Sequence, residues 1–148
     1  MSWRAATVAL GLVGLGTASA AGISAQGQET LANAVTTFAQ AWVGGDLDMI
    51  ASLVASEGVH ITLDGRDYHV LERRQAIATL KSFLRSLTGV GFDVRRVSEL
   101  GGTPSRGFSD VTWEVVDDES GERLRRTLFL AFVQESGTWR VEDLRLLR

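Results

Sequence analysis

The end of the chain, residues 123–147, constrains the fold most, because it reads as two long strands joined by a turn at residues 135–137. In the first strand, residues 127–133 (TLFLAFV), the side chains of both alternating sets are apolar. A strand with this pattern is covered on both faces, so it belongs near the centre of a layered domain.

The second strand, residues 138–147, changes phase along its length. Its apolar positions alternate as far as Val141 and resume one residue out of step at Leu144, with Glu142 and Asp143 between them. A slip of one position predicts a β-bulge in this strand.

Helical spacing predicts two helices at the start of the domain. The apolar stripe of the first consists of Leu31, Val35, Phe38 and Trp42. The glycines at 44 and 45 end this helix, and Asp46 is placed to cap a second, short one. The apolar positions of the second helix are Leu47, Ile50, Leu53 and Val54, and Gly58 closes it.

A third, longer helix is predicted over residues 71–87, with Gly89 and Gly91 ending it. Its apolar face is formed by Ile77, Leu80, Leu84 and Leu87. Three strands then precede the final one, over residues 92–100, 106–116 and 123–134.

The breaker-rich loop at residues 117–121 sets the register of the two strands that it joins. Centring the turn on this loop places Glu114 opposite Arg125 and Val111 opposite Leu128. Charged side chains are thereby predicted to pair on one face of the sheet and aliphatic side chains on the other.

Asp64 and Gly65 form a strong hairpin signal between residues 59–63 and 66–70. A two-residue turn there places His60 opposite His69, with Asp67 on the same face. These three residues are weak candidates for zinc or copper ligands; alternatively they are solvated polar residues on a half-exposed hairpin.

The N-terminus has the pattern of a secretory signal peptide over residues 1–20. An apolar run at residues 5–15 is followed by small residues that suit cleavage after Ala20. A membrane anchor is the alternative, but the run is short and rich in Gly and Ala. We therefore expect export, to the periplasm or the exterior, with no membrane span after processing, a linker at residues 21–28 and one domain over residues 29–148.

Composition limits the kinds of partner. The 148-residue chain has a formal net charge of −3 and no cysteine. Acidic residues are interleaved with its arginines, which argues against nucleic acid as a partner, and a disulfide is excluded. The sequence contains no cofactor-binding motif, so no cofactor is expected.

The order of these elements resembles the nuclear transport factor 2-like superfamily. The residues that carry the likeness are residues 38–53 (FAQAWVGGDLDMIASL), the hairpin ending near Tyr68, the long helix, and the closing residues 137–145 (GTWRVEDLR). In detail the chain is similar to small exported bacterial domains of unknown function in that superfamily. The resemblance implies an α+β cone, in which N-terminal helices and a long lid helix pack on a curved antiparallel sheet.

The resemblance also implies a pocket between the lid helix, the first helix and the concave face of the sheet. The candidate pocket residues are Phe38, Trp42, Tyr68, Asp110, Trp113 and Glu114. We favour an ordinary core for the aromatic residues and solvated positions for the two acids, so no catalytic role is assigned to any of them.

Three functions fit this pattern. The first, which we favour, is an exported, non-catalytic binding or assembly module of unknown ligand. Its working surface is either an apolar pocket in the cone, suited to a small apolar ligand, or an exposed face of the sheet. The second is a small hydrolase or isomerase that uses a carboxylate in the pocket. The third is self-association alone. A homodimer through the sheet is expected, because a strand that is apolar on both faces leaves one set uncovered when helices pack on one side only.

Overall fold

The computed structural model describes residues 29–148. The predicted signal peptide and linker lie outside the described residues. In the part of the chain that is described, no helix combines the length and apolar character needed to cross a membrane.

Helix α1 (Leu31–Gly44) has the predicted boundaries. The hydroxyl of Thr30 accepts a hydrogen bond from the Asn33 N–H at the first turn, and Gly45 ends the helix with a φ of 65°. Glycine adopts this left-handed conformation without steric cost. The whole predicted stripe is buried, comprising Leu31, Val35, Phe38 and Trp42.

Helix α2 (Leu47–Leu53) is capped as predicted, since Asp46 accepts a hydrogen bond from the Met49 N–H at 3.0 Å. It ends at Leu53, several residues before Gly58, which was expected to close it. Val54 is extended and forms an isolated parallel bridge with Val141. This β-branched residue therefore pairs with the sheet and does not continue the helix. Gly58 therefore lies beyond the helix, just before strand β1.

Strands β1 (Val59–Leu63) and β2 (Arg66–Leu71) form the predicted hairpin, but only the two pairs next to the turn have the predicted register. His60 pairs with Val70, so the expected pairing of His60 with His69 is wrong. The reason is local: Asp67 accepts a hydrogen bond from the His69 N–H at 2.7 Å, and His69 adopts a left-handed φ of 59°. This turn removes one residue from the ladder.

Helix α3 (Arg73–Leu84) is shorter than the predicted helix at both ends. Leu71 belongs to β2, and the Glu72 N–H donates to the Gln75 side chain where α3 begins. Leu87 already pairs with Asp117 as the first residue of strand β3 (Leu87–Leu100).

The two glycines that were expected to stop the helix lie inside β3. Gly89 is in close contact with α1, because a Cβ atom at this position would collide with the backbone of Val43. Glycine is therefore needed here for a close approach of two backbones, not for chain reversal.

The remaining strands are β4 (Arg106–Asp117), β5 (Arg123–Glu135) and β6 (Thr138–Leu147). Within the described residues, six strands form one curved sheet in the order β2-β1-β6-β5-β4-β3. Strand β1 runs parallel to β6, and the other neighbours are antiparallel. The sheet is thus mixed, not wholly antiparallel as expected, because the early hairpin is inserted beside the last strand.

The predicted register of the long strands is confirmed. Glu114 pairs with Arg125 and Val111 pairs with Leu128. The β6 bulge is also confirmed, since the pairing between β5 and β6 shifts at residue 142. The charged pair closes a salt bridge of 3.1 Å.

The helices cover one face of the sheet, which we call the inner face; the opposite face is the outer face. Alternate side chains of β4, β5, β6 and β1 point to the inner face and form a continuous core with α1, α2 and α3. The largest of the fully buried side chains are Trp42, Trp113, Trp139, Phe38 and Phe132. This arrangement is an α+β fold of two layers.

Candidate functional site

A cavity of about 370 Å³ lies between the C-terminal end of α3 and the inner face of the sheet. We call it the α3 cavity. Its wall is formed by Asp64, Ser82, Phe83, Ser86, Leu87, Trp113, Val115, Asp117, Leu124, Arg126 and Leu146. These residues come from the hairpin turn, the end of α3 and four strands, so the cavity depends on the whole fold.

A second hollow of about 240 Å³ shares Leu87 and Trp113 with the α3 cavity and reaches Trp42 at the end of α1. The two indole rings meet edge to face, with their centroids 5.4 Å apart. Both indole N–H groups are buried and have no hydrogen-bond acceptor within residues 29–148. Most buried donors in proteins are satisfied, so these two indole groups are exceptions in the core beside the cavity.

Arg126 supplies the positive charge in the α3 cavity. It lies directly opposite Trp113 in the ladder, and its Nη1 donates to Asp64 Oδ1 at 3.1 Å. The other acid in the wall, Asp117, already accepts hydrogen bonds from the backbone N–H groups of Glu119 and Ser120. Both carboxylates of the cavity are therefore engaged with other groups of the protein.

The predicted aromatic residues are divided between the core and a separate hollow. Phe38 stacks on Trp42 with ring centroids 6.2 Å apart, and both are buried beside Trp113. Tyr68 lies on β2 with the Arg66 guanidinium 4.9 Å from its ring centroid, and it lines a shallow hollow against α3. Tyr68 is thus not in the wall that Trp42 and Trp113 share.

Asp110 and Glu114 lie on the outer face, because buried and half-buried residues alternate along β4 and Trp113 occupies the inward phase. Asp110 forms a salt bridge with Arg96 at 2.8 Å, and Glu114 forms one with Arg125. The sheet therefore separates these two acids from the α3 cavity, and they do not line it.

The hairpin residues His60, Asp67 and His69 form a different arrangement from the predicted one. The His60 ring lies between two carboxylates, with Nε2 at 2.7 Å from Asp67 Oδ1 and Nδ1 at 3.6 Å from Asp143 Oδ2. His69 is exposed, with 86% of its side chain accessible. Two hydrogen bonds lower the pKa of the Asp67 carboxyl: the one from the His69 backbone N–H has the larger effect, and the one from the His60 ring has the smaller.

Metal ligation is not favoured by the geometry of these groups. Among residues 29–148, no three side chains of His, Cys, Asp or Glu are placed to hold a metal ion. The hairpin cluster is a network of hydrogen bonds and ion pairs at the edge of the sheet.

Sequence reasoning missed Arg126 and Asp64. A signal for Arg126 was present, because it shares the inward phase of Leu124 and Leu128, and the predicted register already placed it opposite Trp113. Asp64 carried no such signal, since its position in a turn explains the residue type without any partner.

Comparison with known proteins identifies the fold. No protein-family model and no curated protein sequence matches the chain. Among solved structures, a DUF4783 family protein from Bacteroides ovatus is similar, with a TM-score of 0.60 and 14% identity over 74% of this chain and 90% of that one. The protein Rd1NTF2_04 with long sheet has a TM-score of 0.61 and 16% identity over 79% of this chain and 99% of its own.

A third similar structure is a hypothetical protein with a ketosteroid isomerase-like fold from Catenulispora acidiphila, in complex with trimethylamine. Its TM-score is 0.61, with 12% identity over 80% of this chain and 87% of that one. Identities this low establish the architecture alone. Together with the helices and sheet described above, they confirm that the chain has the nuclear transport factor 2-like α+β fold.

Proposed function

We propose that this protein is an exported, non-catalytic binding module that holds a small, largely apolar ligand in the α3 cavity, at the mouth of a cone that α3 covers as a lid. The observation that carries the proposal is the partly buried guanidinium of Arg126, which lies among apolar side chains in the cavity wall. A polar group placed in a partly apolar cavity fixes the orientation of a bound ligand.

The position of the acids supports binding over catalysis. Asp110 and Glu114, the carboxylates considered for a hydrolase or isomerase, are on the other side of the sheet. Asp64 and Asp117 do line the cavity, but Asp64 Oδ1 holds Arg126 and Asp117 Oδ1 accepts two backbone N–H groups. A general base must lie within hydrogen-bond reach of the proton that it removes, and these contacts already occupy one oxygen of each carboxylate.

The α3 cavity also has the character of a ligand site. Six of its eleven lining residues are apolar, among them Phe83, Leu87 and Leu124, and the other five are polar or charged. The wall therefore offers apolar contact together with polar groups that can orient a ligand. The trimethylamine complex of the protein from Catenulispora acidiphila supports the idea that a small molecule is accommodated by this fold.

Blocking the cavity tests this proposal. Ser82 is an exposed residue of α3 that lines the cavity, so Ser82→Trp fills the entrance. Native mass spectrometry of the purified protein should show a co-purified small molecule on the wild type and none on the variant. Lys81→Trp, which adds the same bulk at an exposed position outside the cavity wall, is the matched control and should retain the ligand.

If wild-type protein carries no ligand and binds no small apolar probe that Ser82→Trp excludes, the cavity is not a binding site. Equal binding by both tryptophan variants would place the ligand elsewhere.

Export is supported by the sequence pattern of residues 1–20. We expect the exported protein to begin at Ala21, or after the neighbouring small residues at 21 or 25. The mass of the intact exported protein measures the cleavage site directly, and retention of Met1 would contradict this part of the proposal.

A further inference from the structure

A partly buried positive charge lies in the α3 cavity. Arg126 is on the inner face of β5, in phase with the apolar residues Leu124 and Leu128, and only 23% of its side chain is exposed. A guanidinium has five N–H donors and cannot lose its charge at any ordinary pH. Within residues 29–148, its one ion pair is with Asp64, through Nη1.

The ion pair uses only part of the donor capacity of this guanidinium. In the part of the chain that is described, the structure gives it one hydrogen bond, from Nη1 to Asp64 Oδ1, and the hydroxyls of Ser82 and Ser86 belong to the same cavity wall. The second acid in the wall, Asp117, accepts backbone N–H groups and forms no ion pair with Arg126.

We propose that the ligand of the α3 cavity is a small amphipathic carboxylate, bound through its carboxylate to Arg126 and through its apolar part to Leu87, Leu124 and Leu146. The inference rests on the proposed function, because it names the class of ligand for that cavity. A guanidinium binds a carboxylate through two parallel hydrogen bonds, and this contact is stronger in a partly buried site than in water. Asp64 competes with the ligand for the same guanidinium.

Three probes with one skeleton and different head groups separate charge from apolar contact: phenylbutanoate, phenylbutanol and phenylbutylamine. Titration calorimetry on the purified protein should show the carboxylate binding about tenfold or more tightly than the alcohol, and the amine binding most weakly. A tenfold ratio corresponds to about 1.4 kcal/mol.

Substitutions on either side of the ion pair should act in opposite directions. Arg126→Gln should reduce the affinity for phenylbutanoate to that for phenylbutanol. Asp64→Asn should increase the affinity for phenylbutanoate, because it removes the competing carboxylate. A gain in affinity cannot arise from poor folding, so Asp64→Asn keeps the test decisive if Arg126→Gln is unstable.

Arg125→Gln is the matched control. Arg125 precedes Arg126 in β5 but lies on the outer face with Glu114, so its loss should leave the affinity for all three probes unchanged.

The inference and the proposed function fail in different ways. Equal affinities for carboxylate and alcohol would overturn the carboxylate assignment and leave a binding cavity. Tightest binding by the amine would instead assign the cavity to cations, with Asp64 as the contact. Failure of every probe to bind the wild type would overturn both.

Discussion

Arg125 and Arg126 are adjacent in the sequence and have opposite environments in the fold. Arg125 lies on the outer face, where it forms a salt bridge with Glu114. Arg126 lies on the inner face in a cavity and holds Asp64. Because consecutive residues of a strand point to opposite faces, residue type reveals nothing about either role, whereas strand phase separates them.

Asp67 gives the hairpin an acid-dependent stability. Its folded-state pKa is lowered by the hydrogen bonds from the His69 N–H and the His60 ring. A carboxyl with a lowered folded-state pKa stabilises the fold above its unfolded value of about 3.9, and this contribution is lost as the pH falls through the folded-state value. Wild-type unfolding temperature should therefore fall more steeply below about pH 4 than that of Asp67→Asn.

The charged groups that face Asp67 are His60, His69 and Arg145. The control is Glu119→Gln, which removes an exposed carboxylate from the loop between β4 and β5. It should keep the wild-type pH profile. Identical profiles for wild type and Asp67→Asn would mean that the hydrogen bonds to Asp67 contribute nothing to stability.

Among the elements, β3 shows how a distant contact overrides a local pattern. Leu80, Leu84 and Leu87 continue a helical spacing, and the sequence gives no reason to stop at Leu84. In the structure the helix ends at Leu84, because Gly89 belongs to strand β3 and lies against the backbone of Val43 at the end of α1. Hydrophobic periodicity cannot predict a backbone contact between two elements that are far apart in the sequence.

A side chain at position 89 should therefore destabilise the protein. Gly89→Ala forces β3 away from α1 and should reduce the free energy of unfolding by about 1–3 kcal/mol. Gly91→Ala is the matched control, since a Cβ atom at position 91 has no atom within 4 Å. Chemical denaturation of both variants measures the difference; equal stabilities would mean that β3 and α1 separate without cost.

Turn chemistry and alternation made the long strands predictable. The register between β4 and β5 follows from one loop, and the β6 bulge follows from the shift between Val141 and Leu144. The hairpin register was not predictable in the same way, because one hydrogen bond from the His69 N–H to Asp67 displaces His69 from the ladder.

The candidate site was predictable only in part. Trp42 and Trp113 border a hollow, as the resemblance implied, and both belong to the core, as their apolar phase suggested. Asp110 and Glu114 were candidates for the pocket only because the phase of β4 was ambiguous without its neighbours, and the structure has them on the outer face. The pairing of Asp64 with Arg126 joins a turn to a distant strand, and nothing in the sequence connects the two.

At the scale of the whole molecule, the outer face is the surface proposed for self-association. Phe108 and Phe129 stack there with centroids 6.1 Å apart. The guanidinium of Arg96 lies 4.9 Å from the Phe108 ring and that of Arg145 lies 6.0 Å from the Phe129 ring. These arginines partly cover the rings within one chain, so a dimer must pack against them.

We expect the wild type to sediment as a dimer at micromolar concentrations, and Phe129→Glu to sediment as a monomer, because it adds a negative charge to the centre of the outer face. Gln40→Glu, which adds the same charge to the exposed side of α1, should remain dimeric. A monomeric wild type would show that the arginines shield the two phenylalanine rings sufficiently within one chain and that the outer face does not mediate self-association.

The parallel pairing of β1 with β6 determines when this domain is completed. His60 lies next to Asp143 in the ladder, so the hairpin has no neighbour on its second side until the last strand has been made. Pairings between residues so far apart in sequence are slow to form. We therefore expect the wall of the α3 cavity, which includes both Asp64 and Leu146, to form late in folding, and removal of the last residues of β6 to leave the cavity open and the edge of β1 exposed.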